Sequence, residues 1–406
     1  MTTSGKLVFT FPGQGSFAPD LLRRMYATRP GLRALFYAVD QASGDILGEP
    51  FLPMVLGDSA GQAGSRDLDQ LGIYLANYAT AQLWLERGVT PDALLGHSFG
   101  EMAAFATAGV FSFEDGARMV GQRVLSLREG ALAGKMVAVA AGEKRVQSML
   151  DGFALASVIS VVNHLDQTVV SGPEDELDEL SRRFAEVAVS VTRLQSNYAF
   201  HSPLLAGSSR AFRIALRGHR FANPRYPVMV GTDLAWVGSE TDIIDAMARQ
   251  LVTPLNFVAQ VGRYQAEGYS RFIECGGGTI VTKVIARVLK SAAAPHQEWA
   301  TFPSASEINA RMAEVALEVS GSEPAALPVA PRPAPVAVAP APPVAPAPPA
   351  PVLKPSPTAP VAVAAVPTEP IAIIGMGCVL PGGADSPDQF WHNITTGVSG
   401  IVDLAD

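Results

Sequence analysis

The sequence predicts an α/β body that is interrupted by a small ferredoxin-like unit and followed by a disordered Pro/Ala-rich linker. Three observations carry this. A short apolar run, Ala93-Leu-Leu-Gly96, leads into Gly96-His-Ser-Phe-Gly100 and then into a helical stretch, a strand–turn–helix order. Residues 134–201 read as β-α-β-β-α-β. Finally, 17 of the 32 prolines fall in the 47 residues from Pro324 to Pro370, a composition that extends rather than packs.

The elements follow in order. Leu7-Val-Phe-Thr-Phe11 is rich in strand formers and is stopped by Pro12-Gly-Gln-Gly15. From Ser65 to Arg87, Leu68, Leu71, Leu75, Ala79 and Leu83 recur as a helical stripe. Glu101 to Ala108 continues as a helix after the glycine turn. Ser112 precedes Asp115 at capping-box spacing, which opens a helix from Phe113 to Arg128. Strands are then expected at Met136–Ala140, Val158–Val162, Gln167–Val170 and Ala188–Thr192, and helices at Glu143–Met149 and Glu174–Glu186. The larger body resumes near Ser202. A late strand, Phe272-Ile-Glu-Cys275, precedes a helix from Thr279 to Leu289. The spacer could reach on the order of 100 Å as polyproline II. Order returns at Ile371-Ala-Ile-Ile374, the opening of another domain.

Charge and cysteine usage exclude several classes. Lys+Arg is 30 and Asp+Glu is 38, for a net charge of −8, and no basic run offers a footprint for nucleic acid. Two cysteines, Cys275 and Cys378, cannot build a disulfide framework or a cysteine-cluster zinc site. No metal-ligand spacing occurs. No run is long and apolar enough for a membrane span, and the short N-terminal run is no signal core. The expectation is a cytoplasmic protein.

Ser98 is the candidate nucleophile, because the glycines beside it permit a sharp turn that lifts its hydroxyl from the sheet. Its helix N-terminus offers free N–H groups to an oxyanion. A serine nucleophile needs a base. Of the six histidines, His97, His164, His201, His219, His296 and His392, elimination favours His201. It lies in Asn197-Tyr-Ala-Phe-His-Ser-Pro203, where the small unit returns to the body and a cleft forms. His164 is the other candidate. Arg123 sits three residues after Val120 and four before Leu127, along an apolar stripe. An inward guanidinium requires an anion. A substrate carboxylate and a protein carboxylate are equal candidates. The Gly13-Gln14-Gly15 loop could complete an oxyanion hole. Gly375-Met-Gly377 fails the dinucleotide pattern, and Gly276-Gly-Gly278 lacks the Lys-Ser/Thr of a nucleotide P-loop.

These residues resemble a known family. Phe11-Pro-Gly-Gln-Gly-Ser16, Gly96-His-Ser-Phe-Gly-Glu101, Arg123, Asn163 before Val169-Val-Ser-Gly172, Tyr198-Ala-Phe-His201, Gln250 ahead of Pro254, and Phe272-Ile-Glu-Cys-Gly276 stand in the order of the malonyl-CoA:acyl carrier protein transacylases and polyketide synthase acyltransferase domains. Residues 369–406 resemble the start of a ketosynthase domain, through Glu369-Pro-Ile-Ala-Ile-Ile-Gly-Met-Gly-Cys378, Pro381-Gly-Gly383 and Phe390-Trp391.

The resemblance implies an acyltransferase domain over 1–320. An α/β-hydrolase-like large subdomain (1–133 and 202–320) would carry a ferredoxin-like subdomain (134–201). A linker (321–368) and a truncated ketosynthase N-terminus (369–406) would follow. Ser98 would take an acyl group from malonyl-CoA, with His201 as base, and pass it to the phosphopantetheine thiol of an acyl carrier protein. The parent chain would supply a downstream ketosynthase, and no bound cofactor is implied. Gln14 and Phe99 would donate the oxyanion N–H groups, and Gln250 would orient His201 through a backbone carbonyl. Arg123, Phe200, Tyr198, His97 and Asn163 would bind substrate. Members preferring malonyl commonly carry His-Ala-Phe-His, and those preferring methylmalonyl Tyr-Ala-Ser-His. Tyr198-Ala-Phe-His201 mixes the two, and the bulk of Phe200 and Phe99 points to malonyl. An acyl hydrolase of the same fold and a non-catalytic docking module are the alternatives.

Overall fold

The structure is a computed structural model that describes residues 5–57, 67–153, 155–304 and 308–320. The expected spacer and tail lie outside the described residues. In chain order the first elements are β1 (Lys6–Phe11), α1 (Pro19–Thr28), α2 (Arg33–Leu47), α3 (Phe51–Leu56), α4 (Asp69–Glu86), β2 (Ala93–Gly96), α5 (Glu101–Ala108) and α6 (Phe113–Gly130). Then come β3 (Lys135–Val139), α7 (Glu143–Gly152), β4 (Val158–His164), β5 (Gln167–Gly172), α8 (Glu174–Glu186) and β6 (Val191–Arg193). The chain returns through α9 (Ala206–Leu216), β7 (Met229–Val230), β8 (Ala235–Trp236), α10 (Ile243–Arg249), β9 (Leu255–Asn256) and α11 (Phe257–Ala266). It ends with β10 (Tyr269–Gly277), α12 (Ile280–Ser291), β11 (Gln297–Phe302) and α13 (Ile308–Ser320).

The main sheet runs β11-β10-β1-β2, every pair parallel. Parallel strands are covered on both faces, so they read as continuous apolar runs. Accordingly Leu7 to Phe11 is buried throughout, and so is Ala93 to Gly96. The helix α4 departs from the amphipathic stripe its leucines suggest. It is buried almost all round, including Gln70, Asn77 and Thr80, because it is sandwiched between β10, α5 and α6. Its polar side chains find partners inside the protein. Asn77 Nδ2 donates to Pro12 O at 2.8 Å, and Thr80 Oγ1 donates to Ala76 O at 2.7 Å.

The second sheet runs β6-β3-β5-β4-β9. Its first four strands are antiparallel neighbours, with α7 and α8 packed on one face. Strand alternation sends the side chains two ways. Val137 and Val170 join Val146, Leu177, Leu180 and Phe184 in a small separate core, while Met136 and Val169 join the main core. The 134–201 unit is not closed on itself. Leu255 and Asn256, far along the returning chain, pair in parallel with Val161 and Val162 as a fifth strand. Two residues after a proline carry no readable strand pattern, so the sheet neighbour had to supply it.

The backbone between β2 and α5 passes so close to β1 that no side chain fits. A Cβ built on Gly100 would stand 2.0 Å from Phe11 O. Gly100→Ala therefore forces apart the two strands that carry the site. The expected outcome is a loss of roughly 3 kcal/mol or more in denaturant unfolding, or failure to accumulate as folded protein.

Candidate active site

Strand β2 ends at Gly96, and the chain turns through His97 and Ser98 into α5. Ser98 sits at φ +53°, in the left-handed region that a residue with a Cβ occupies at a cost of about 1–3 kcal/mol. The strain lifts Oγ clear of the sheet. The turn is held by His97 N donating to Phe11 O at 2.9 Å and by Gln250 Nε2 donating to Ser98 O at 2.8 Å.

His201 meets Ser98, with Nε2 2.6 Å from Ser98 Oγ. His201 is itself left-handed, at φ +58°, and 2 % exposed. Its loop is pinned by the segment after α10 and by the second sheet. His201 N donates to Leu251 O at 2.8 Å, and Ser171 Oγ of β5 donates to Phe200 O at 2.7 Å. His201 Nδ1 lies 2.8 Å from Thr253 O. A carbonyl can only accept, so Nδ1 carries the proton and the Nε2 lone pair faces Ser98. The principal acceptor is thus Thr253, three residues beyond the expected Gln250, whose carbonyl interacts with the ring more weakly. The Gln250 side chain is instead spent on Ser98 O and, at 3.0 Å, on Glu101 Oε2. Burial pushes the His201 imidazole down to about 4, with Arg123 adding to the fall and the Thr253 carbonyl opposing it. At neutral pH the ring is a free base.

Arg123, on α6, is 2 % exposed. Its Nη1 donates to Gln70 Oε1, and its guanidinium carbon lies 5.0 Å from the Phe99 ring centre and 5.1 Å from that of Phe200. Among the described residues no carboxylate pairs with it, and burial alone lowers its pKa to about 9. It stays charged at neutral pH. Of the two partners open to it from spacing, the protein carboxylate is absent among the described residues. Sequence reasoning misses Gln70; a polar residue in the first turn of an apolar helix is its only signal.

A cavity of about 490 Å³ opens over Ser98. Gln14, His97, Asn163, Phe200 and His201 line it, with Met136, Val161 and Val169 of the second sheet as its apolar wall. His97 Nε2 and Asn163 Oδ1 are 3.0 Å apart, and Asn163 Nδ2 donates to Gln167 Oε1 at 3.1 Å. Tyr198 does not line the cavity. Its hydroxyl turns away and donates to Asp67 Oδ2 at 3.1 Å, beside Arg128, and its ring packs edge-on against Phe200. Tyr198 thus touches the cavity lining through Phe200. Arg123 and Phe99 also stand behind the cavity wall. His164 is not near Ser98 Oγ as a base; its Nε2 is 3.0 Å from Arg287 Nη1.

A serine and a neutral imidazole at a strand–turn–helix in an α/β sheet define the class of serine acyl-transfer and hydrolytic enzymes. Comparison narrows that class. Residues 8–314 match the acyl transferase domain family, and the chain belongs to it. Residues 368–406 match the N-terminal domain of β-ketoacyl synthases.

Among similar proteins, a non-reducing polyketide synthase of Aspergillus oryzae is 30 % identical over 72 % of this chain and 14 % of its own length. A phenolphthiocerol/phthiocerol polyketide synthase polypeptide of Mycobacterium tuberculosis is 28 % identical over 74 % of this chain and 19 % of its own. The chain thus spans under a fifth of these relatives. The acyltransferase domain of the second salinomycin polyketide synthase module superposes with a TM-score of 0.69 at 26 % identity, covering 79 % of this chain and 74 % of that one. The malonyl-CoA:acyl carrier protein transacylase of Xanthomonas oryzae gives 0.66 at 27 %, covering 74 % and 95 %. No helix among the described residues is long and apolar enough to cross a membrane.

The buried imidazole predicts an unusual acid limb. Labelling of Ser98 by a fluorophosphonate holds its rate from pH 7 down to about 5 and falls with a midpoint near 4. Because the folded pKa lies below the unfolded 6.5, this group costs stability as pH falls from 6.5 towards 4, at about 1.4 kcal/mol per pH unit. A labelling midpoint near 6.5 overturns this.

Proposed function

We propose that residues 1–320 load a malonyl unit from CoA and deliver it to the phosphopantetheine thiol of an acyl carrier protein. The observation that carries the reading is Arg123: a buried, charged guanidinium beside the Ser98–His201 pair, with no carboxylate partner among the described residues. Burying an unpaired charge is costly. A substrate with a free carboxylate supplies the missing counter-charge, and the planar guanidinium can take it bidentately. Phe200 lines the cavity and Arg123 lies directly behind it, so a carboxylate in the cavity reaches the guanidinium past that ring.

The chemistry then runs in two balanced halves. Ser98 Oγ attacks the thioester carbonyl while its proton passes to His201 Nε2. The C–S bond breaks, and the departing CoA sulfur takes that proton. In the second half the acceptor thiol gives its proton to Nε2 and attacks the Ser98 ester. The C–O bond breaks, and Oγ recovers the proton. The Gln14 and Phe99 N–H groups steady the oxyanion in both halves. The Gln14 loop lies against the nucleophile turn: a Cβ built on Gly13 would stand 2.5 Å from His97 O and 3.3 Å from Phe99 N. Likeness to a malonyl-CoA:acyl carrier protein transacylase over 95 % of that chain supports the substrate class. The match of residues 368–406 to a β-ketoacyl synthase N-terminal domain supports a parent assembly with a downstream ketosynthase.

Two measurements test this. Intact mass after brief incubation with malonyl-CoA shows one malonyl adduct, absent in Ser98→Ala. In Arg123→Ala, malonyl loading falls roughly 10–100-fold, the worth of a charge-assisted hydrogen bond, and acetyl loading falls less. Equal malonyl loading by wild type and Arg123→Ala sinks the reading, and rapid release of free acid without any acceptor favours a hydrolase. In a competition of malonyl- with methylmalonyl-CoA, wild type prefers malonyl and Phe200→Ser narrows the preference by about tenfold, the order of one methyl in a tight pocket. A preference for methylmalonyl in the wild type reverses the specificity reading.

A further inference from the structure

Beneath the nucleophile turn lies a buried polar cluster that the transfer steps do not use. Glu101, the first residue of α5, is 2 % exposed. Its Oε1 accepts from Gly231 N at 2.8 Å, and its Oε2 accepts from Gln250 Nε2 at 3.0 Å. No Lys, Arg or His pairs with it among the described residues. A carboxylate buried without a cation is costly. Gln260, from α11, is wholly buried beside it. Gln260 Nε2 donates to Gly96 O at 3.3 Å, and Gln260 Oε1 is buried without a partner. A Cβ built on Gly231 would stand 2.7 Å from Glu101 Oε1, 2.8 Å from Gln260 Nε2 and 2.9 Å from Gln260 Oε1, so the carboxyl and the amide face one point. Turning the Gln260 amide over would set its oxygen against the Gly96 carbonyl. One unpaired acceptor thus sits beside one uncompensated carboxyl, and a proton between them resolves both.

We propose that Glu101 is a neutral carboxylic acid at physiological pH, donating its proton to Gln260 Oε1, and acts as the positioning residue of the nucleophile turn. Its hold on Ser98 runs through Gln250, whose amide donates one N–H to Glu101 and the other to Ser98 O. The assignment rests on Ser98 being the nucleophile, not on malonyl being the substrate. The titratable groups facing Glu101 are Asp233, after β7, and Tyr264, on α11. Asp233 is occupied by Arg249 at 2.8 Å, and the Tyr264 hydroxyl donates to Leu94 O. Neither supplies a positive charge. Burial raises the Glu101 carboxyl to about 8, against the opposing pull of Gly231 and Gln250.

The test uses the whole chain with its glutamates labelled at the side-chain carboxyl carbon, read by NMR from pH 5 to 9. One signal titrates near pH 8, persists in E274Q, which removes the other strongly buried glutamate, and is missing from E101Q. Fluorophosphonate labelling of Ser98 declines above about pH 8 in the wild type and stays level in E101Q, whose amide can still bridge Gln250 and Gln260. Should E101Q fail to fold, the wild-type and E274Q titrations decide alone. The proposal is overturned if every glutamate signal titrates below pH 6, or if the high-pH signal vanishes in E274Q. Failure of malonyl loading with the high-pH signal intact sinks the substrate reading and leaves this one standing.

Discussion

The left-handed backbone at Ser98 is the constraint on which the rest of the site depends. A non-glycine residue at φ +53° is strained, and the conformation persists only because its surroundings over-determine it. Phe11 O and Gln250 hold the turn through hydrogen bonds. Gly96 and Gly100 let α5 and β1 close on it without a side chain in the way. The geometry therefore needs the parallel pairing of β1 with β2, and the Asn77 amide that ties α4 to the loop after β1.

The second constraint is dielectric. His201 and Arg123 are nearly fully buried, while Ser98 beside them lines the cavity. Burial acts on each according to its charge. It keeps His201 neutral and thus able to take a proton, and it leaves Arg123 charged but uncompensated. No carboxylate orients the imidazole among the described residues; the Thr253 carbonyl does so. A backbone carbonyl carries no net charge, so it fixes the tautomer without stabilising the imidazolium as an aspartate would. That leaves the Arg123 guanidinium as the charged group beside the Ser98–His201 pair.

Much of the fold was legible in the chain because its strands are buried on both faces. Leu7–Phe11, Ala93–Gly96 and the alternating strands of 134–201 carry local apolar patterns, and the structure places strands there with ends shifted by up to three residues. The helix carrying Arg123 and its capping serine at 112 were equally local; Ser112 Oγ accepts from Asp115 N at 3.0 Å. The helices between residues 19 and 56, and the short strands β7, β8 and β9, were not legible. Two-residue strands have no period to read, and their pairing is set wholly by neighbours distant in sequence.

The sequence alone determined the chemistry's cast: a serine between glycines after a strand, a histidine at the junction of two units, and an arginine on an apolar stripe. These are local choices, enforced by turn sterics and helix periodicity. Only the tertiary structure decided which partners complete them. It made Thr253 the principal acceptor for the imidazole, ahead of Gln250, set Gln70 against Arg123, turned Tyr198 out towards Asp67, and buried Glu101 beside Gln260. Hydrogen-bond partners are chosen by distance in space and by the cost of leaving a buried group unpaired, and neither quantity exists until the two sheets have closed on each other.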